Sequence, residues 1–220
     1  MAMTRTIDDP APGRMALPGS AGPSDRTRPF PGQAVMAAGP TLPGGTGAAD
    51  PAVLVDPSDF RSLWRGLAGS VFVVATGDGD RRAVMAATAV CSVSMEPPSL
   101  LVCINRTASA IRLIDRRGAF SVGLLPASAH DIGRHVGSET GMRRFDKGDW
   151  GTATLPDTVV DGLPWLRQAQ ATLFCGIDAR HDYGTHTIFI GKVTALAGHG
   201  GDDPLLYCDG AYCGRGESIG

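Results

Sequence analysis

Two stretches of this chain carry residue types at spacings that could do chemistry. The first is Val84-Met85-Ala86-Ala87-Thr88-Ala89-Val90-Cys91-Ser92-Val93-Ser94, running into Met95-Glu96-Pro97-Pro98. Small side chains let a flat ring lie close against the main chain, whose N–H and C=O groups can then read its polar edge. Ser92 and Ser94 lie two apart, so in a strand they share one face. Hydroxyls there could bond a polyol chain or a phosphate. The second stretch is Cys103-Ile104-Asn105-Arg106-Thr107-Ala108-Ser109-Ala110. It reads as a buried strand ending in Asn-Arg-Thr and entering a helix capped by Ser109 or Thr107. Helix N-terminal amides beside an arginine make an anion site. On the residues alone, each stretch also fits a purely structural role. The first would be a barrel strand with alanines for packing and serines for a turn, the second a helix cap with a solvated arginine.

Other chemistries find little support. His130 and His135 are five apart, not at the i, i+4 spacing of a helical metal pair, and His181 and His186 are likewise five apart with no acidic third ligand. The cysteines Cys91, Cys103, Cys175, Cys208 and Cys213 form no C-x-x-C pair, so no zinc site is expected. They read mostly as small buried apolar side chains. Ser92, Asp182 and His186 lack the G-x-S-x-G elbow of a hydrolase. There is no G-x-G-x-x-G after a strand, so a dinucleotide would have to be held in another way. Arg143-Arg144-Phe145 is open between a solvated basic face and a binding role, and Trp64, Trp150 and Trp165 read as core or interface.

The elements that must position these stretches are mainly strands. Asp56-Pro57-Ser58-Asp59 is a helix start, with Phe60, Leu63, Trp64 and Leu67 at helical spacing. Val71–Thr76, Val84–Val90, Ser99–Ile104, Ala119–Leu124, Ala169–Ala179 and His186–Ala197 read as strands, with Gly77-Asp78-Gly79-Asp80 as a hairpin turn. Ser109–Arg116 and Ser128–Val136 read as short helices, the second capped by Ser128, and Pro204–Tyr212 as a short strand and turn. Many strands with few helices imply a closed barrel with peripheral helices. Residues 1–55 are a separate Pro/Gly/Ala-rich zone: nine of the 16 prolines fall by position 51. Such composition cannot offset its ordering entropy, so this zone is expected to be disordered. A net charge of −2 gives no reason to expect nucleic acid. No apolar run approaches the ~20 residues of a membrane helix. Arg5, Asp8, Asp9 and Pro10 stand where a signal peptide would be apolar, so a cytoplasmic protein is expected.

Taken in order, the motifs resemble a known family. Ser92-Val93-Ser94 with Pro97-Pro98 is followed by Leu100-Leu101-Val102-Cys103-Ile104-Asn105-Arg106 with Ala108-Ser109. The match continues through Gly118-Ala119-Phe120-Ser121-Val122, Arg144-Phe145, Gly184-Thr185-His186-Thr187-Ile188, Pro204-Leu205-Leu206-Tyr207 and Gly210-Ala211-Tyr212. This series resembles the flavin reductases with the FMN-binding split-barrel fold, which include reductase components of two-component phenol and 4-hydroxyphenylacetate monooxygenases. The second stretch is especially similar to the reductases of pyrimidine-degrading monooxygenases. The resemblance spans Phe60 to Tyr212.

The resemblance implies a mainly β, antiparallel split β-barrel over residues 56–214, with a few short peripheral helices and a flexible 215–220. It also implies a homodimer that uses NADH or NADPH to reduce FMN or FAD, and a transient partner that is a monooxygenase or halogenase. By position, Ala87, Thr88 and Ala89 would hold the flavin ring edge, and Ser92, Val93 and Ser94 would line the flavin. Asn105, Arg106 and Ser109 would meet its phosphate end, with Arg144 nearby. His186 and Tyr212 would sit where the nicotinamide stacks. The family often has Gly-Met-Thr-Ala-Asn-Ser where this chain has Val84-Met85-Ala86-Ala87-Thr88-Ala89, leaving the Thr88 hydroxyl as the substitute side-chain donor. Other outcomes on the same fold are a reductase of a corrinoid or ferric acceptor, and a non-catalytic flavin-binding protein.

Overall fold

A computed structural model describes residues 56–216; the expectation of disorder for 1–55 lies outside them, as does most of the expected flexible C-terminus. Asp56 caps the first helix, α1 (Pro57–Trp64), its carboxylate accepting from the Ser58 amide at 2.7 Å, with Pro57 in the first turn. Strands β1 (Gly69–Ser70), β2 (Phe72–Asp78) and β3 (Arg81–Ala87) follow, and the β2–β3 hairpin turns on Gly79-Asp80. Then come β4 (Val90–Met95), β5 (Pro98–Asn105), α2 (Ile111–Arg117) and β6 (Ala119–Leu124). A 3-10 turn at Ala127–Ala129 leads into α3 (His130–Ser138), and a second one spans Gly141–Phe145. The chain closes with β7 (Trp150–Thr152), β8 (Pro164–Leu166), the long β9 (Ala171–Tyr183) and β10 (His186–Gly198), β11 (Leu206–Cys208) and β12 (Ala211–Cys213).

Seven strands form one antiparallel sheet in the order β3-β2-β6-β9-β10-β5-β4. Its two edge strands, β3 and β4, are consecutive in the chain and separated only by Thr88 and Ala89. Laid flat, seven strands would hold their edges roughly 29 Å apart. Three Cα steps reach at most about 11 Å. The sheet must therefore roll up until its edges nearly meet, which makes it a split barrel. The packing agrees: Ala83, Met85 and Ala87 of β3 and Val90 of β4 pack against the same cluster of Val74, Val102, Ile104, Phe120, Val122 and Phe189. Helix α2 closes that interior with Ile111 and Ile114. On the outside, Val73 and Ala75 of β2 pack with Ile132 and Val136 of α3, Phe145 and Leu205. Strand β2 is buried on both faces, which explains its unbroken apolar run.

Several expectations need correction. The expected strand Val84–Val90 is broken at Thr88-Ala89, because the chain there leaves one sheet edge for the other. The helix expected from Ser109 begins at Ile111, with Ala110 at its cap and no side-chain cap bond. Asn105 instead accepts from the Thr107 amide at 2.9 Å and the Thr107 hydroxyl at 2.8 Å, closing a local turn that competes with helix. Ser128 does not cap α3; it lies within the 3-10 turn, and no side chain caps the helix. In β5 only Leu100, Val102 and Ile104 are fully buried, since Leu101 and Cys103 face the other side of the strand. Of the cysteines, all free, only Cys175 is buried; Cys103 and Cys208 are half-buried, and Cys91 and Cys213 are exposed. Burial raises the Cys175 thiol to about 12, so it stays protonated.

Candidate functional site

Strand β3 offers its outer side to α3 through small residues. Ala86, Ala87 and Thr88 line one cleft of about 430 Å3 together with Gly137 of α3 and the rings of Tyr207 and Tyr212. Ala86 and Gly137 also line a second cleft, of about 460 Å3, with Thr107, Ser109 and Arg144 at its far side. The two clefts meet at Ala86 and Gly137 and together make a groove between β3 and α3. Gly137 presents no side chain to it; a Cβ there would lie in ordinary contact with the Tyr212 hydroxyl, at 3.5 Å.

The aromatic wall at one end is built by a small sheet, β1-β11-β12. Asp209 and Gly210 both take positive φ in the β11–β12 turn, as a tight hairpin requires. That turn places Tyr207 directly across from Tyr212, and Tyr207 also opposes Gly69. The two rings meet edge to face with centroids 5.1 Å apart. Burial first, then the neighbouring Tyr207, raises the Tyr212 hydroxyl above its ordinary value, with Arg134 opposing, so it stays a proton donor. Arg134 lines the same cleft. Among the described residues, neither Thr88 nor Ala89 gives its amide to a backbone carbonyl. The link across the barrel split therefore presents free donors beside the groove.

At the other end Arg144 is half-buried. Its Nε donates to the Glu139 carbonyl at 2.6 Å and Nη1 to the Val84 carbonyl at 2.9 Å, which ties the segment after α3 to β3. A guanidinium has five donors, so three remain for a ligand. Ser109 is exposed at the same end.

The structure thus brings together Ala87, Thr88, Ser109, Arg144 and Tyr212 on one groove, with Ala89 on the adjoining link and Asn105 fixing the groove residue Thr107. Other candidates stand apart. Ser92 and Ser94 pair with Leu100 and Ser99 across a bulge at Val93. Because Leu100 and Ser99 point to opposite faces, the two serines do not share one, contrary to their spacing. Ser94 is also engaged with Glu96, donating to its carbonyl and accepting from its amide, each at 3.0 Å. Arg106 and His186 line neither cleft. His186 pairs with Asn105 in the β5–β10 ladder and bonds the Thr185 hydroxyl at 2.9 Å, while Arg106 reaches toward the Gly184 carbonyl at 3.5 Å. Sequence reasoning missed Ala86, Arg134, Gly137 and Tyr207. Tyr207 had a signal, the Tyr-Cys-Asp-Gly-Ala-Tyr hairpin that makes the two tyrosines face each other. Arg134 had none.

Most of the described domain also has known relatives. The family model for the flavin reductase like domain matches residues 64–216. The chain is 37% identical over 155 residues to "FMN reductase (NADH) RutF" of Agrobacterium fabrum, covering 70% of this chain and 86% of that protein. Among solved structures it is similar to BorF, the flavin reductase component of a bacterial two-component tryptophan halogenase, at 28% identity and a TM-score of 0.64, over 72% of this chain and 98% of that one. It is also similar to the NADH:FAD oxidoreductase SgcE6 of Streptomyces globisporus, solved with NAD and FAD fragments, at 28% identity and a TM-score of 0.65, over 74% of this chain and 96% of that one.

Proposed function

We propose how the groove works in this chain, which belongs to the flavin reductase like domain family and is an NAD(P)H:flavin oxidoreductase. The observation that carries the reading is the continuous groove of small residues, with free Thr88 and Ala89 amides and two tyrosines at one end and Ser109 and Arg144 at the other. When bound, the flavin supplies a ring that accepts a hydride and the nicotinamide supplies that hydride; the hard chemistry belongs to the cofactors.

The chain's own residues bind, orient and exclude water. The small side chains of Ala86, Ala87 and Gly137 admit a flat ring against β3. The amides of Thr88 and Ala89 and the Thr88 hydroxyl donate to its polar edge. Ser109 and the spare donors of Arg144 hold the phosphate end. The Tyr207–Tyr212 wall gives the nicotinamide an apolar face, and Arg134 stabilises negative charge that develops on the ring. His186 pairs with Asn105 toward the Thr107 end, away from the tyrosine wall, so its part is to hold the NAD(P)H nucleotide beyond the nicotinamide ring. Asn105 shapes the turn that presents Thr107 and Ser109. Arg106, Ser92, Val93 and Ser94 act from outside the groove, in the β5–β10 end and the β4 edge.

A homodimer is part of the proposal. Helix α1 buries none of its residues, leaving Leu63 84% and Trp64 60% exposed, and Met95 on the β4 edge is 79% exposed. These exposed apolar side chains support a dimer contact, and a solution mass of one chain would remove the dimer. We further propose a cytoplasmic location and an oxygenase or halogenase as recipient of the reduced flavin, a reading supported by the BorF likeness. Among the described residues no helix is long and apolar enough to cross a membrane. The activity is tested by NADH and NADPH oxidation with FMN and with FAD. Turnover with at least one pair is expected; a folded sample silent with all four ends the reductase reading.

A further inference from the structure

We propose that an arginine-lined depression beside the Ser109 end of the groove receives the adenosine diphosphate half of FAD, so that this chain prefers FAD to FMN. The proposal rests on the reading of the groove given above. The depression, of about 700 Å3, lies between the β2–β3 hairpin, which supplies Arg81 and Arg82, and helix α2, which supplies Arg112 and Arg116. Ser109 lines both this depression and the groove, and the consecutive residues Gly141 and Met142 line the groove and the depression respectively. The depression therefore begins where the phosphate end of the groove stops. Its size falls within the roughly 300–1,000 Å3 of small-ligand sites.

Charge identifies the occupant. Among the described residues none of Arg81, Arg82, Arg112 and Arg116 is ion-paired to a carboxylate. Two carboxylates are present, Asp80 and Asp115. Asp115 is already bound to Arg180 at 3.1 Å, which leaves Asp80 against four guanidinium groups. Arg82 is held over the Phe145 ring at 4.4 Å, so its position is fixed by packing. Arg81 and Arg116 also face an adjoining depression of about 340 Å3 shared with Arg117. Like charges that converge without partners repel in the folded state. An anion carrying more than one phosphate relieves that repulsion, and the planar guanidinium fork matches phosphate oxygens two at a time. Leu113 and Met142 add apolar surface for a base. FMN ends at its single phosphate, beside Ser109; in FAD the second phosphate and the adenosine continue outward from that point, into the arginines.

The test uses the full chain and equilibrium binding read by flavin fluorescence. FAD should bind the wild type at least fivefold more tightly than FMN. In Arg112→Ala/Arg116→Ala the FAD dissociation constant should rise tenfold or more, while those for FMN and riboflavin stay within twofold, which also reports that the variant is folded. Arg112→Lys should retain most of the FAD preference. ADP alone should displace FAD from the wild type and leave riboflavin bound. Equal affinities for FAD and FMN in the wild type, unchanged in the double variant, would overturn the subsite. So would a double variant that weakens NADH or NADPH but not FAD, since the arginines would then serve the nicotinamide nucleotide. A wild type that binds none of the three flavins defeats the reading of the groove itself, a result distinct from loss of FAD selectivity alone.

Discussion

At the scale of single residues, the structure separates cations and hydroxyls that look equivalent in the sequence. Ser109 faces the groove and Arg106 does not, although three positions separate them. Losing a hydrogen bond to a charged phosphate costs about 1.5–3 kcal/mol. Ser109→Ala is therefore expected to weaken FMN roughly tenfold or more and riboflavin hardly at all. Arg106→Ala should leave the FMN-to-riboflavin affinity ratio unchanged; a ratio that collapses in Arg106→Ala and survives in Ser109→Ala would reverse the two assignments. His186 is exposed, and among the described residues its ring bonds only the neighbouring Thr185 hydroxyl, so replacing the side chain should not disturb the barrel. His186→Ala should raise KM for NAD(P)H, slow flavin reduction several-fold, or both, with the flavin dissociation constant near wild type. Rapid-mixing reduction of bound flavin, paired with a flavin titration, reads both quantities. Loss of flavin with a normal reduction rate would move His186 to the flavin side.

At the scale of elements, α3 has two duties that can be separated. Its buried face, Ile132 and Val136, packs on β2, while Gly137 lines the groove without a side chain. Leucine at position 137 suits a helix better than glycine by roughly 0.5–1 kcal/mol, yet it puts a side chain into the groove. Gly137→Leu should thus keep or raise the thermal midpoint while flavin affinity drops at least tenfold; unaltered affinity would show that the flavin lies elsewhere. The start of α3 carries a pH-dependent tie. Asp131 is bound to Lys147 at 2.7 Å, and that bond, ahead of the Ile132 amide, holds its carboxyl below the ordinary 3.8. A lowered folded value means that the tie contributes fully above 3.8 and is lost as pH falls through the folded value. Both groups are about half exposed, so the effect is small. Asp131→Asn should narrow its stability deficit relative to wild type below pH 4 and show it in full at pH 7, as read by urea midpoints. A deficit that grows on acidification would assign the tie to another group.

At the scale of the whole molecule, the family match begins at residue 64 and every groove residue lies beyond it. Deleting residues 1–55 should leave turnover and flavin affinity within a few-fold. Collapse of either in the truncated chain would show that this zone is structural. The same scale explains why the link at Thr88-Ala89 matters. It joins the two edges of a rolled sheet, so it sits where the main chain is least committed to ladder hydrogen bonds and most able to offer its amides to a ligand.

The sequence by itself determined the strands and the class of fold. Alternation, β-branched runs and the Gly79-Asp80 turn are local, period-two signals that survive without tertiary information. It also determined the family, because the order of motifs from Ser92 to Tyr212 is written in the chain. Only the tertiary structure decided which of those motif residues share a site. The bulge at Val93 put Ser92 and Ser94 on opposite faces, the Asn105 turn delayed α2 to Ile111, and the roll of the sheet set β3 against α3, bringing Arg134, Gly137 and Tyr207 to the groove. Each depends on register and on contacts between residues far apart in sequence, and a single strand's pattern does not encode which distant strand or helix it will face.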